Sequence, residues 1–217
     1  MLKAFLKNKN RNINDQRGMT LIELLVVLAI FVVVTSAVMF NYNGFRSSAS
    51  TQNLVNDIAL SIRKAQSAAI GVQGLGLDFQ YGHGAHFSLN TDQSNRVSGS
   101  IKSFILFTDI NNDNMYQYSS SGLCGSPTSE DECSEVLSIN GSDKIATFYI
   151  DGVKKLSGTL NIVFRRPNPD AVFCYKSNST SPCQGASNVK IEVTNDQDPN
   201  NTITKDIIIW NTGQISI

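Results

Sequence analysis

The sequence predicts an α+β protein in which a long N-terminal helix, membrane-spanning over its first half, packs through its second half on an antiparallel β-sheet domain. Three observations predict this. An apolar run from Met19 to Phe40 contains a single charge, Glu23, and at about 20 residues per span it is long enough to cross a bilayer. Helical periodicity then resumes, with Leu54, Ile58, Ile62, Ala65 and Ala69 on one face. Beyond residue 84 the period becomes strand-like, in short β-branched and aromatic segments bounded by Gly, Asn, Asp or Pro. The chain therefore divides into a leader (1–18), an apolar half-helix (19–40), an amphipathic half-helix (41–72) and one β-rich exported domain (73–217).

The leader holds Lys3, Lys7, Lys9, Arg11 and Arg17 against Asp15 alone. This excess keeps the N-terminus in the cytoplasm and sends the chain beyond Phe40 outward. Of the 18 basic and 18 acidic residues overall, removing the five basic and one acidic of the leader leaves 13 and 17. The remainder is mildly acidic, which disfavours a nucleic-acid partner.

Glu23 is the informative residue of the apolar run. A charge at mid-membrane costs roughly 2.5–3.5 kcal/mol, so it requires a partner or a task. An α-amino group made by cutting the chain just ahead of the helix is the one cation that needs no further charged side chain. An ordinary secretory signal competes, with Leu24 to Val34 as its apolar core and Thr35-Ser36-Ala37 as its cleavage site. An uncut anchor is the other alternative. Neither has a use for Glu23.

The run Gly18-Met19-Thr20-Leu21-Ile22-Glu23-Leu24-Leu25-Val26-Val27-Leu28-Ala29-Ile30 closely resembles the class III signal of type IV pilins and pseudopilins. The resemblance implies cleavage by a prepilin peptidase between Gly18 and Met19 and N-methylation of Met19. It further implies that the apolar helix packs into a filament core, where Glu23 meets the methylated amine of a neighbouring subunit during assembly. The expected partners are that peptidase, other pilin or pseudopilin subunits, the inner-membrane assembly platform and membrane lipid. Met19 stands where the family commonly has Phe. Gly84-Ala85-His86-Phe87, Phe164-Arg165-Arg166-Pro167 and the terminal stretch Ile209 to Ile217 resemble the minor pseudopilin branch typified by the type II secretion H subunit and its fimbrial counterparts.

In the amphipathic half, Gln52, Asn56, Arg63, Lys64 and Ser67 oppose the apolar face, as on a helix that lies on a domain. Gly44 reads either as a weak point or as a tolerated glycine. Gly71, Gly74, Gly76, Gly82 and Gly84 mark the helix exit and a connection. Strands are predicted at Ala85–Leu89, Ile101–Thr108, Val136–Ile139, Ile145–Ile150, Thr159–Arg165, Ala171–Tyr175, Val189–Thr194, Ile203–Trp210 and Gln214–Ile217.

Cys124, Cys133, Cys174 and Cys183 form two pairs with eight intervening residues each. In an exported domain the simplest of three connectivities is two local disulfides, Cys124–Cys133 and Cys174–Cys183. Zinc competes, although the spacing is wide for a zinc knuckle. Between Lys102 and Lys144 every charge is negative: Asp109, Asp113, Glu130, Asp131, Glu132, Glu135 and Asp143. Asp109, Asn111 and Asp113 alternate as calcium-loop ligands do, but Asn114 and Ser120 stand where that loop carries glycine and glutamate. The preferred reading is an Asn/Asp turn with solvated charges. No cofactor is expected beyond a possible calcium ion at this turn. The region from Thr108 to Glu135 is long enough as a connection to suggest a partner-contact surface or a disulfide-tied loop.

His83 and His86 lack neighbours to complete a metal set, and Lys154-Lys155 with Arg165-Arg166 would make at most a small basic patch. No G-x-S-x-G, H-E-x-x-H or P-loop motif occurs, so no enzyme is expected. The reading is a minor pilin or pseudopilin that polymerises through its N-terminal helix. The alternative is a membrane-tethered extracellular binding protein, calcium-dependent through residues 108–135, that does not polymerise.

Overall fold

An uninterrupted 50-residue helix, α1 (Leu21–Ile70), opens the described chain. The computed structural model describes residues 19–71, 81–92, 96–118, 124–128, 130–168, 170–197 and 203–217. The leader, including Gly18, lies outside them, as do Gly74 and Gly76 of the predicted connection. The chain divides into two compact units between Asn43 and Gly44. Gly44 itself is helical, and nothing lies within 4 Å of where its Cβ would stand.

In the first unit the helix is apolar on all sides. Leu21, Ile22, Phe31, Val33 and Met39 are all well exposed, and this is the one helix among the described residues long and apolar enough to cross a membrane. Two of its hydroxyls are satisfied internally. Thr35 Oγ1 donates to Phe31 O (2.8 Å) and Ser36 Oγ to Val32 O (2.7 Å), so neither presents an unpaired polar group to hydrocarbon.

The second unit packs the remainder of α1 on two sheets of five strands each. The strands are β1 (Gly82–Ser88), β2 (Ser103–Asp109), β3 (Cys133–Ser138), β4 (Asp143–Ile150), β5 (Val153–Lys155), β6 (Thr159–Phe164), β7 (Ala171–Lys176), β8 (Asn188–Asn195), β9 (Thr204–Trp210) and β10 (Ile215–Ser216). One sheet runs β3-β2-β1-β6-β7 and the other β10-β9-β8-β4-β5, with every pairing antiparallel. The antiparallel sheet domain expected from the sequence is thus built as two sheets. Alternation reveals strands and their faces, whereas the order of pairing depends on contacts remote in sequence.

Both sheets contribute to one apolar cluster around α1. Leu54, Val55, Ile58, Ile62, Ala65 and Ala69 meet Phe87, Phe104, Ile162 and Phe164 from the first sheet and Phe148, Ile191 and Ile207 from the second. The predicted helix face is buried as read, widened by Val55 and Ala59. Asn56, Arg63, Lys64 and Ser67 are exposed. A smaller cluster, Val97, Ile105, Phe107, Tyr116, Cys133 and Val163, covers the other face of the first sheet. Two of the predicted loop glycines, Gly82 and Gly84, lie inside β1. At Gly84 a Cβ would stand 2.6 Å from Ile162 O and 2.8 Å from the Phe107 ring, so the strand accepts no side chain there.

Candidate functional site

The start of α1 is built by Thr20. Its hydroxyl accepts from the amide of Glu23 (3.3 Å) and its carbonyl from that of Leu24 (3.1 Å), the forward half of a capping box whose third helical residue is a glutamate. Glu23 therefore occupies the first turn, where a carboxylate complements the partial positive charge of the helix end. The Thr-x-x-Glu spacing is the signal in the sequence that points to Thr20, a residue that the charge argument for Glu23 does not reach. Met19, the first described residue, is exposed and immediately precedes this cap. The geometry is a carboxylate presented at the head of an otherwise uncharged, laterally exposed apolar rod.

That segment decides the relationship. Residues 13–39 match the family described as the prokaryotic N-terminal methylation motif. The chain carries the signature of type IV pilins and pseudopilins. No curated protein and no solved structure matches it. The pilin signature points to a structural subunit, implies contact with other pilin subunits and a processing peptidase in general terms, and accords with anchoring by the apolar helix.

The second unit of this pilin-type chain has another concentration of polar groups, where the acidic stretch folds back on the first sheet. Four of its carboxylates, Asp109, Asp131, Glu132 and Asp143, are buried, and the burial of Asp109 corrects the reading of its Asn/Asp turn as one of solvated charges. Asp109, at the end of β2, receives Arg165 Nη2 on Oδ2 (2.5 Å) and the amides of Asp113 and Asn114 on its two oxygens (3.1 Å each). Glu132 receives the amides of Ile110 on Oε1 (2.9 Å) and Gln117 on Oε2 (3.0 Å). Burial pushes the Glu132 pKa up to about 7, against the opposing pull of those amides. Asp143, at the start of β4, accepts from Ser50 and Thr51 of α1 and from Asn195 of β8.

The calcium-like alternation is thus occupied by protein groups. Asn111 Oδ1 accepts from the Asp113 amide (3.1 Å) and Asp113 Oδ1 from the Met115 amide (2.8 Å), while Asn112 and Asn114 take left-handed φ values of 61° and 63°. Arg165 supplies at Asp109 the positive charge a cation would bring. Among the described residues no group of three or more His, Cys, Asp or Glu side chains is placed to hold a metal. Calcium would have to displace Arg165.

Disulfides join Cys124 to Cys133 and Cys174 to Cys183, with Cα separations of 4.8 and 5.1 Å. The first ties the acidic loop to β3, and the second ties the turn after β7, where Tyr175 and Gln184 also exchange backbone hydrogen bonds. His83 and His86 do not come together. His83 lies 3.3 Å from Thr108 Oγ1. His86 is buried against Asn161 Oδ1 (2.7 Å) and Ser98 O (3.3 Å), and burial lowers its pKa. The four-residue basic patch does not form. Arg165 is paired with Asp109, Arg166 Nε donates to Ala69 O (3.0 Å), and Lys154 and Lys155 lie over the rings of Tyr149 and Tyr175.

Proposed function

We propose that this chain is a minor pilin or pseudopilin, cut after Gly18, N-methylated at Met19 and polymerised through α1 into a type IV pilus or type II secretion pseudopilus. The observation that carries the reading is the methylation motif over residues 13–39, with Glu23 the one charge on the apolar run from Met19 to Phe40. In the membrane the subunit waits as a single-pass protein with its β-rich unit exported. On assembly the apolar flank of α1 exchanges lipid for neighbouring helices, and Glu23 pairs with the methylated amine of an adjacent subunit. That pairing offsets the cost of a buried charge only when both partners are present.

The test is the mass and terminal sequence of the membrane-extracted protein made with and without a prepilin peptidase. A peptidase-dependent start at N-methylated Met19 is expected. A start near Val38, or an intact Met1 in both samples, overturns the assignment.

A further inference from the structure

The loop after β2 does more than bury its carboxylates; it forms one wall of an open cavity of about 670 Å³ on the outer face of the first sheet. The volume lies within the range of small-ligand sites. Its floor is His86 of β1 and Asn161 of β6, and its opposite rim is Lys176 at the end of β7. Tyr116 and Tyr118 stand along the loop wall with ring centroids 5.8 Å apart and planes 22° apart. Tyr116 is buried and fixed, its hydroxyl donating to Val97 O (2.8 Å). Tyr118 is 45% exposed and offers an aromatic face at the mouth.

The remaining lining is mostly hydroxyls and amides, with Ser157, Thr159, Gln117 and Asn178 among them and Leu89 and Met115 as apolar members, and no carboxylate is present among the described lining residues. Burial lowers the His86 pKa. Lys176 is the one lysine, arginine, aspartate or glutamate in the described lining, its ammonium 3.7 Å from Met115 Sδ and in no ion pair with a described carboxylate. An aromatic plate, rows of hydroxyl and amide groups and a single cation match a pyranose ring that carries one carboxylate. The ring's apolar C–H face stacks on tyrosine, its hydroxyls exchange hydrogen bonds with the walls, and its acid meets the ammonium. A nucleic-acid strand is matched less well, because its repeated phosphates call for several cations. The wall is preorganised, since Asp109 and Glu132 hold the backbone from Ile110 to Gln117 through four amide bonds, which reduces the ordering cost of binding.

We propose that this cavity binds an acidic saccharide, with a uronic acid ring on Tyr118 and its carboxylate at Lys176.

The full chain in micelles of a sugar-free zwitterionic detergent is titrated with trigalacturonate, neutral maltotriose and oligothymidylate, followed by saturation-transfer NMR. Transfer to trigalacturonate is expected, with weaker binding of maltotriose. Tyr118→Ala should weaken trigalacturonate binding about tenfold, as loss of one stacked ring predicts. Lys176→Gln should reduce trigalacturonate to the affinity of maltotriose. Both side chains are at least partly exposed, so unchanged melting temperatures are expected for the two variants. No transfer to trigalacturonate, equal affinity for maltotriose in the wild type, tighter binding of oligothymidylate, or wild-type affinity in Tyr118→Ala each overturns the proposal.

Discussion

Glu132 is a carboxylate with two amide donors and no cation within bonding distance among the described residues, buried beside a second carboxylate that holds the arginine. Its pKa is raised from 4.5 to about 7, so the folded chain binds this proton more tightly than the unfolded one. The stability it contributes is complete below pH 4.5 and is lost as pH rises through about 7, a change on the order of 3 kcal/mol. Melting curves of the wild type and Glu132→Gln should therefore diverge across that window, with the variant flatter and offset by the acceptor it lacks. Parallel curves would refute the assignment. At Asp109, Arg165 already occupies the acceptor a cation needs, so millimolar calcium should leave the melting temperature unchanged, and a rise would restore the calcium reading. The residues of this loop are legible in the sequence as acidic and turn-forming. Their burial is not, because the arginine that meets Asp109 comes from a strand end 56 positions away and no local pattern announces the meeting.

Among elements, α1 shows the closest agreement between periodicity and packing. Ile58 is fully buried, whereas Leu60, two residues on, is 62% exposed. Ile58→Ala should cost about 2–5 kcal/mol in denaturant unfolding, and Leu60→Ala should stay within about half a kcal/mol. Similar losses at the two positions would mean that the helix face is misassigned. All nine predicted strands correspond to observed ones, because each carries enough β-branched or aromatic residues to exceed its turns. Strand β5 is the exception that local pattern does not reveal. Val153-Lys154-Lys155 is three residues long and forms by pairing with β4 across the turn at Asp151 and Gly152, both at positive φ. The two-residue β10 is legible only because Trp210-Asn211-Thr212-Gly213 reads as a hairpin turn ahead of it.

At the scale of the whole molecule, the two units divide the work that the sequence assigns to them. The core of the second unit contains no residue before Leu54, while Glu23 lies in the first. Glu23→Ala should consequently leave the unfolding transition of the β-rich unit unchanged and abolish incorporation into filaments, measured by sedimentation of sheared fibres. Normal incorporation of the variant would show that assembly does not need Glu23, whereas absence of the wild type from the sheared fibres would favour a tethered binding protein that never polymerises. The N-terminal half of the function is readable because a membrane helix tolerates few charges, which makes the one it keeps conspicuous. The cavity on the first sheet is not readable, since its floor, wall and rim come from β1, β6, β7 and the loop after β2, and only the register of the sheet brings them together.

The contact of Ser50 and Thr51 with Asp143 has a mechanical meaning. Within the second unit, hydroxyls of two adjacent helix residues hold one carboxylate at the start of β4, Ser50 on Oδ2 and Thr51 on Oδ1, and Asn195 of β8 also donates to Oδ1. All three bonds to this carboxylate must break before the helix and the two strands come apart here. Asp143 thus behaves as a cleat between the helix and two inner strands of its sheet, β4 and β8.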